Sequence, residues 1–162
     1  EVNSQVQAET AQAEAEKLGL NVEVSTVTSS NDVAQAVETM CEKADVIYLP
    51  TDNTFASTMA TVGQISEQKK VPVIVGEAGM CTGGGLATVG LDFYQLGLQT
   101  GEFAVEVFEG GEISTMPVEY PKTNNITINR EMADKIGIEI PQEVLDRADF
   151  MIENGESVAV EK

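Results

Sequence analysis

The chain has no histidine and no tryptophan, and aromatic residues make up only 5% of its 162 positions. Without histidine it lacks the commonest neutral-pH general base and nitrogen metal ligand, so no Ser-His or Cys-His pair can be assembled from it. Basic residues are few: 9 Lys and Arg stand against 27 Asp and Glu, a formal charge of −18. Such a surface repels phosphate backbones, and the largest basic cluster is Lys69-Lys70, which argues against a nucleic-acid partner. No apolar run approaches the ~20 residues of a membrane-spanning helix. There is no initiator Met, basic n-region or apolar h-region, so any targeting segment is expected outside this sequence.

Cysteine is also sparse. Cys41 falls on the apolar side of an expected helix, beside Val33, Ala36, Val37 and Met40, where a small buried thiol suffices. Cys81 lies in a glycine-rich stretch where it can be exposed. Two cysteines without a framework of spacings specify neither a disulfide nor a metal site.

What is abundant is aliphatic. Hydrophobic residues make up 42% of the chain, many of them Ala and Val, which fits one well-cored domain of helices and buried strands. Ala8, Ala11, Ala15 and Leu18 recur at helical spacing over residues 4–18, with Ser4 and Gln7 as a capping box and Gly19 as the left-handed stop. Alternation over 22–27 predicts a strand. Ser30-Asn31-Asp32 caps a second helix with Val33, Ala36, Val37 and Met40 inside.

The run ADVIYLP, 44–50, predicts a strand buried on both faces, and 71–76 another with Pro72 near its start. Between them Asp52 or Asn53 opens a third helix on Phe55, Met59, Val62 and Ile65. The five glycines of 76–85 predict a loop that is mobile or closely approached by another group. A strand at 86–91 leads to a helix opened by Asp92, with Tyr94, Leu98, Gly101, Val105 and Phe108 on one face and Gly110-Gly111 at its end. Short strands at 116–120 and 126–129, a helical turn at 132–136 and a last helix from Pro141 follow. The alternation gives an α/β fold: a parallel sheet with helices on both faces. Because the chain opens on a helix, a preceding strand is expected outside it.

In open parallel sheets, ligands bind beyond the carboxyl ends of the strands. Those ends carry Asn3 and Ser4, then Thr28-Ser29-Ser30-Asn31, then Thr51, Asp52 and Asn53, then Glu77, then Asp92. Helix N-termini there suit a ligand carboxylate, and Asp52, Glu77 and Asp92 suit an ammonium. Each of these residues alone also makes an ordinary helix cap, but one cap does not require the four consecutive polar residues Thr51 to Thr54. Thr82-Gly83-Gly84-Gly85 is no phosphate loop, since no Lys-Ser/Thr follows it. Asp52 with Asp92 matches an acidic Mg²⁺ site of a phosphotransfer domain, yet no strand-end lysine completes one.

YLPTDNT (Tyr48 to Thr54), VPVIVGEAGM (Val71 to Met80) and GGLATVGLDFYQLGLQTG (Gly84 to Gly101) closely resemble the ABC-transporter substrate-binding proteins of the tryptophan/tyrosine-binding group, over Glu1 to about Pro141. The tail from Gln142 is less typical. The resemblance implies a type I periplasmic-binding-protein fold, a three-layer αβα lobe at 1–92 lacking its first strand. It implies a crossover helix and strand at 93–120 packing on the other lobe, and a return segment and tail at 121–162. It places Asn3, Ser4, Thr51, Asp52, Asn53, Glu77 and Asp92 around an amino acid, either tryptophan, tyrosine or phenylalanine. It implies no catalysis and no cofactor, extracytoplasmic lipid-anchored placement, and ABC permease and ATPase partners. A dimer through the bared face of the 93–108 helix is a further expectation. Two other readings share the fold class: an effector-sensing domain of a transcription regulator, and a flavodoxin-like enzyme.

Overall fold

The structure, a computed structural model, describes residues 1–160; the last two positions of the expected 121–162 segment lie outside the described residues. The elements run α1 (Val2–Lys17), α2 (Ser30–Cys41), β1 (Ile47–Leu49), α3 (Asn53–Ala56), α4 (Met59–Lys69), β2 (Val73–Val75), α5 (Ala78–Thr82), β3 (Ala87–Leu91) and α6 (Phe93–Phe108). After a short 3₁₀ turn at Ile113–Thr115 come β4 (Asn124–Asn129), α7 (Arg130–Ile136), α8 (Gln142–Leu145), β5 (Phe150–Glu153) and β6 (Glu156–Ala159).

The strands form one sheet in chain order, β1 to β6. The α/β class holds, but the sheet is mixed. β1, β2 and β3 are parallel, while β4 returns antiparallel to β3 over five register pairs from Ala87–Ile128 to Leu91–Asn124. Alternation along β2 sends Val73 and Val75 into one core cluster and Ile74 against another. The first cluster unites Val33 and Val37 of α2, Met59, Val62 and Ile65 of α4, and Met80 and Cys81 of α5. The second rests on Leu86 and on Met132, Ala133 and Ile136 of α7.

Several local expectations hold at their physical cause. Gly19 takes φ +79 and ends α1, with its N–H on Glu16 O and the Leu20 N–H on Ala15 O, the paired bonds of a Schellman stop. Others are corrected. Residues 21–27 are largely exposed and form no strand, because no neighbouring strand hydrogen-bonds them among the described residues. β1 is buried on one face only: Ile47 and Leu49 point inward and Tyr48 is exposed.

The third expected helix is two helices. Ser57 Oγ bonds Thr54 O, and Thr58 Oγ1 bonds Thr54 O and Phe55 O, so side-chain hydroxyls take carbonyls that a continuous helix would use. The glycine-rich loop at 76–85 instead contains α5, and Cys81 is fully buried, its thiol pushed up to about 12 chiefly by burial. Met80 and Cys81 are the reason: both insert into the core and hold the segment down. Residues 116–120 form no strand; Gln99 Nε2 reaches Tyr120 O and holds the segment along α6.

Candidate ligand-binding site

The site is built where three parallel strands end. After β1 the chain runs Pro50-Thr51-Asp52 into α3; after β2 it runs Gly76-Glu77 into α5; after β3, Asp92 opens α6. In each case a carboxylate is the N-cap. Asp52 Oδ1 accepts from the Thr54 N–H at 2.8 Å, Glu77 accepts from the Gly79 and Met80 N–H groups, and Asp92 Oδ1 accepts from the Gln95 N–H at 2.9 Å.

Glycines bring these ends together. A Cβ on Gly76 would stand 2.5 Å from Thr51 N, and one on Gly90 would stand 3.3 Å from Glu77 Cα. Thr51 and Glu77 can lie so close to the neighbouring strands only because no side chain intervenes.

The first turn of α1 closes over the β1 end. Ser4 Oγ lies 2.8 Å from Asp52 Oδ2 and from Glu1 O, and the Asn3 amide donates to Thr51 O at 2.9 Å. Gln7 Oε1 accepts from the Thr51 N–H, and Asn53 Nδ2 donates to Glu1 Oε1. Ser4 therefore does not cap α1, and Gln7 completes no capping box; α1 starts at Val2 with no side-chain cap. Both side chains turn to the Thr51–Asn53 loop, where a buried carboxylate and a strand-end N–H need partners.

Of the seven residues singled out in the sequence, Asn3, Ser4, Thr51, Asp52 and Asn53 thus form one hydrogen-bonded cluster. Glu77 and Asp92 stand on the next two strand ends along the same edge and bond to neither the cluster nor each other. Asp92 gains a partner that the sequence did not point to, Asn125 of β4, whose amide donates to Oδ2 at 3.0 Å. The polar pair Asn124-Asn125 at the start of a strand is the signal for it.

Burial pushes the Asp52 carboxyl upward, but hydrogen bonds from Ser4 and Thr54 outweigh it, and the net position is below the ordinary value. Asp92 is also lowered, first by the Gln95 N–H and then by Asn125. Both carboxylates are therefore ionised at neutral pH. A capping carboxylate takes one N–H at α3, two at α5 and one at α6, and its negative charge offsets the positive end of each helix, so the edge as a whole favours a cation over an anion. Among the described residues no group of three or more His, Cys, Asp or Glu side chains converges as a metal site.

The family described as ABC transporter substrate binding protein matches residues 1–152, nearly all of the chain. The chain belongs to this family. The match runs past Pro141 through α8 and into β5, so the tail is more typical than its sequence suggests. The family is one of substrate-binding proteins rather than of transcription regulators or flavodoxin-like enzymes.

Among its relatives is a tyrosine-binding protein of Clostridioides difficile (strain R20291), 36% identical over 131 residues, which are 81% of this chain and 38% of that protein. A solved ABC domain from Streptococcus pneumonia in complex with L-Trp is 39% identical with a TM-score of 0.84, covering 93% of this chain and 51% of the other. A conserved domain protein of Vibrio cholerae is 34% identical over the same shares with a TM-score of 0.85. A ligand-free, open substrate-binding protein with adhesive properties from Clostridium difficile is 37% identical, with a TM-score of 0.72 over 91% of this chain and 50% of that one. The chain spans about half the length of the solved relatives and less of the tyrosine-binding protein. Among the described residues no helix is long and apolar enough to cross a membrane.

Proposed function

We propose that this chain forms one lobe of the extracytoplasmic, lipid-anchored solute-binding component of an ABC importer, and that its strand-end edge binds an aromatic amino acid. The observation that carries the reading is the convergence at the β1 end, where Asn3, Ser4, Thr51, Asp52 and Asn53 from two distant segments meet beside an ionised carboxylate. The ligands named for two relatives, tyrosine and L-Trp, supply the class.

In this reading residues 1–92 carry half of a cleft and 93–120 cross to a second lobe, with 121–162 returning. The return is supported by β4, which rejoins the sheet beside β3, and the crossing by α6, whose apolar residues Tyr94, Leu98, Val105 and Phe108 are exposed. Ligand binding draws the two lobes closed, a population shift without bond chemistry, and the permease and its ATPase respond to the closed state. Asp52 faces the ligand ammonium, and Glu77 and Asp92 line the rest of the cleft edge.

Calorimetric titration of the full-length protein with tryptophan, tyrosine and phenylalanine, beside leucine and valine, tests it. Saturable binding of at least one aromatic amino acid is expected, and Asp52→Asn should cost about 2–5 kcal/mol of it if that carboxylate faces the ammonium. Binding of the branched-chain ligands alone, or of none, would sink the reading.

A further inference from the structure

The strand-end edge continues past Asp92 into a depression of about 220 Å³ between the start of α5 and the sheet. A complete small-molecule pocket occupies roughly 300–1,000 Å³. This one suits part of a ligand. Ala78, Leu91, Phe93 and Phe150 form its apolar wall, which is most of its exposed surface, and Asp92, Asn125, Thr127 and Ser157 are the polar residues of its lining. The whole sequence holds five Phe and three Tyr, and two of these few rings stand here.

Gly90 keeps the space open. Its φ is not among the positive ones, so its backbone does not demand glycine. A Cβ there would sit 3.3 Å from both Glu77 Cα and Thr88 Oγ1. A larger side chain must either enter the depression or push α5 away from β3. Phe93 is different in kind: it follows the Asp92 cap, is 55% exposed, and has no core to fill. An exposed phenyl ring beside an apolar hollow is the arrangement that stacks on another ring.

We infer that this depression receives the aromatic ring of the ligand while the ligand's polar backbone groups lie at the Asp52 end, which rests on the function proposed above. β1 and β3 are separated by two strand spacings, about 10 Å. An amino acid with a phenol or indole side chain bridges that gap along the edge, and a short aliphatic one does not. Ring size is therefore read at β3 and the charged end at β1.

The experiment compares Gly90→Val, Phe93→Ala and Asp52→Asn in the full-length protein, each checked to be folded by a cooperative thermal transition well above the titration temperature, by titration with tyrosine, tryptophan and phenylalanine. Gly90→Val and Phe93→Ala should weaken binding about 10-fold or more and change the ratios among the three ligands, with tryptophan losing most in Gly90→Val. Asp52→Asn should weaken all three by one common factor. If the folded Gly90→Val and Phe93→Ala proteins bind all three as wild type does, or weaken them by one common factor, the ring lies elsewhere while the proposed function stands. Wild-type protein that binds no aromatic amino acid removes both.

Discussion

Ser4 Oγ lies 2.8 Å from Asp52 Oδ2, a contact between residues 48 positions apart that ties the first turn of α1 to the N-terminus of α3. Both side chains are buried, and the carboxylate also caps α3 through the Thr54 N–H. Asp52 therefore has a structural task before any ligand arrives. Cap and binding residue are not alternatives here, since a carboxylate has about four acceptor positions and the cap needs one.

Asp52→Ala removes the cap and one partner of the Ser4 hydroxyl, and should cost about 1 kcal/mol, lowering the melting temperature by roughly 2–4 °C in a domain of this size. Asp52→Asn keeps an acceptor toward Thr54 and should cost less. Thermal unfolding of both variants checks this. Equal losses would mean that the charge, rather than the cap, carries the stability.

The same carboxylate sets a direction with pH. Its folded-state pKa is below the ordinary 3.8, so its contribution is complete above that value and fades as pH falls through the lower folded one. Asp92 shifts the same way. Urea unfolding from pH 6 down to pH 2 should show wild type losing stability faster than Asp52→Asn as pH drops below about 4. Curves that stay parallel across that range would remove Asp52 from the acid transition.

Gly63 and Gly84 touch backbone to backbone. A Cβ on Gly63 would meet Gly84 Cα at 2.9 Å, and one on Gly84 would meet Gly63 Cα at 2.8 Å, with Gly84 at φ +134 as well. Neither neighbour has a flexible end to move aside. Gly63→Ala should cost about 1–3 kcal/mol by overpacking α4 against the segment after α5, and Gly84→Ala more, because strain adds to the clash. Denaturant unfolding of the two single variants gives the order.

Much of this was legible because it is local. The α2 stripe through Val33 and Val37, the β2 run after Pro72 and the stop at Gly19 each depend on residues within a turn or two. The polar run Thr51 to Thr54 after an apolar strand marked the β1 end of the site for the same reason. What depends on a partner was not legible. The alternation at 22–27 is real, but a strand needs a ladder and the sheet offers none there. Asn125 reaches Asp92 from 33 residues later, on a strand that returns antiparallel. The β5–β6 hairpin had a local signal that went unread: Asn154 and Gly155, both at positive φ, form the two-residue turn between Phe150–Glu153 and Glu156–Ala159.

Thr88 and Thr127 face each other across β3 and β4, and the hydroxyl of each is buried with no hydrogen-bond partner among the described residues. An unsatisfied buried hydroxyl costs about 1–3 kcal/mol, which a methyl of the same shape does not. Thr88→Val should accordingly be neutral or stabilising, the reverse of most core substitutions. A clear loss of stability in chemical unfolding would mean that a water bridges the two hydroxyls and that the pair is satisfied after all.

The last prediction concerns α6, whose apolar residues Tyr94, Leu98, Val105 and Phe108 are all exposed, while Gln99 is the buried residue, held by Glu119 Oε2 and Tyr120 O. Ile113, Val118 and Tyr120 of the following segment are exposed as well. A contiguous exposed patch of this kind is rarely left bare by a soluble monomer. With a second lobe covering it, the full-length protein should be monomeric, whereas the 1–162 chain alone should self-associate. Sedimentation equilibrium of the two proteins separates the cases, and Phe108→Ser with Val105→Ser should return the short chain toward monomer. A short chain that is monomeric at tens of micromolar without those changes would mean that the α6 face needs no cover, and the crossover reading of 93–120 would lose its main support.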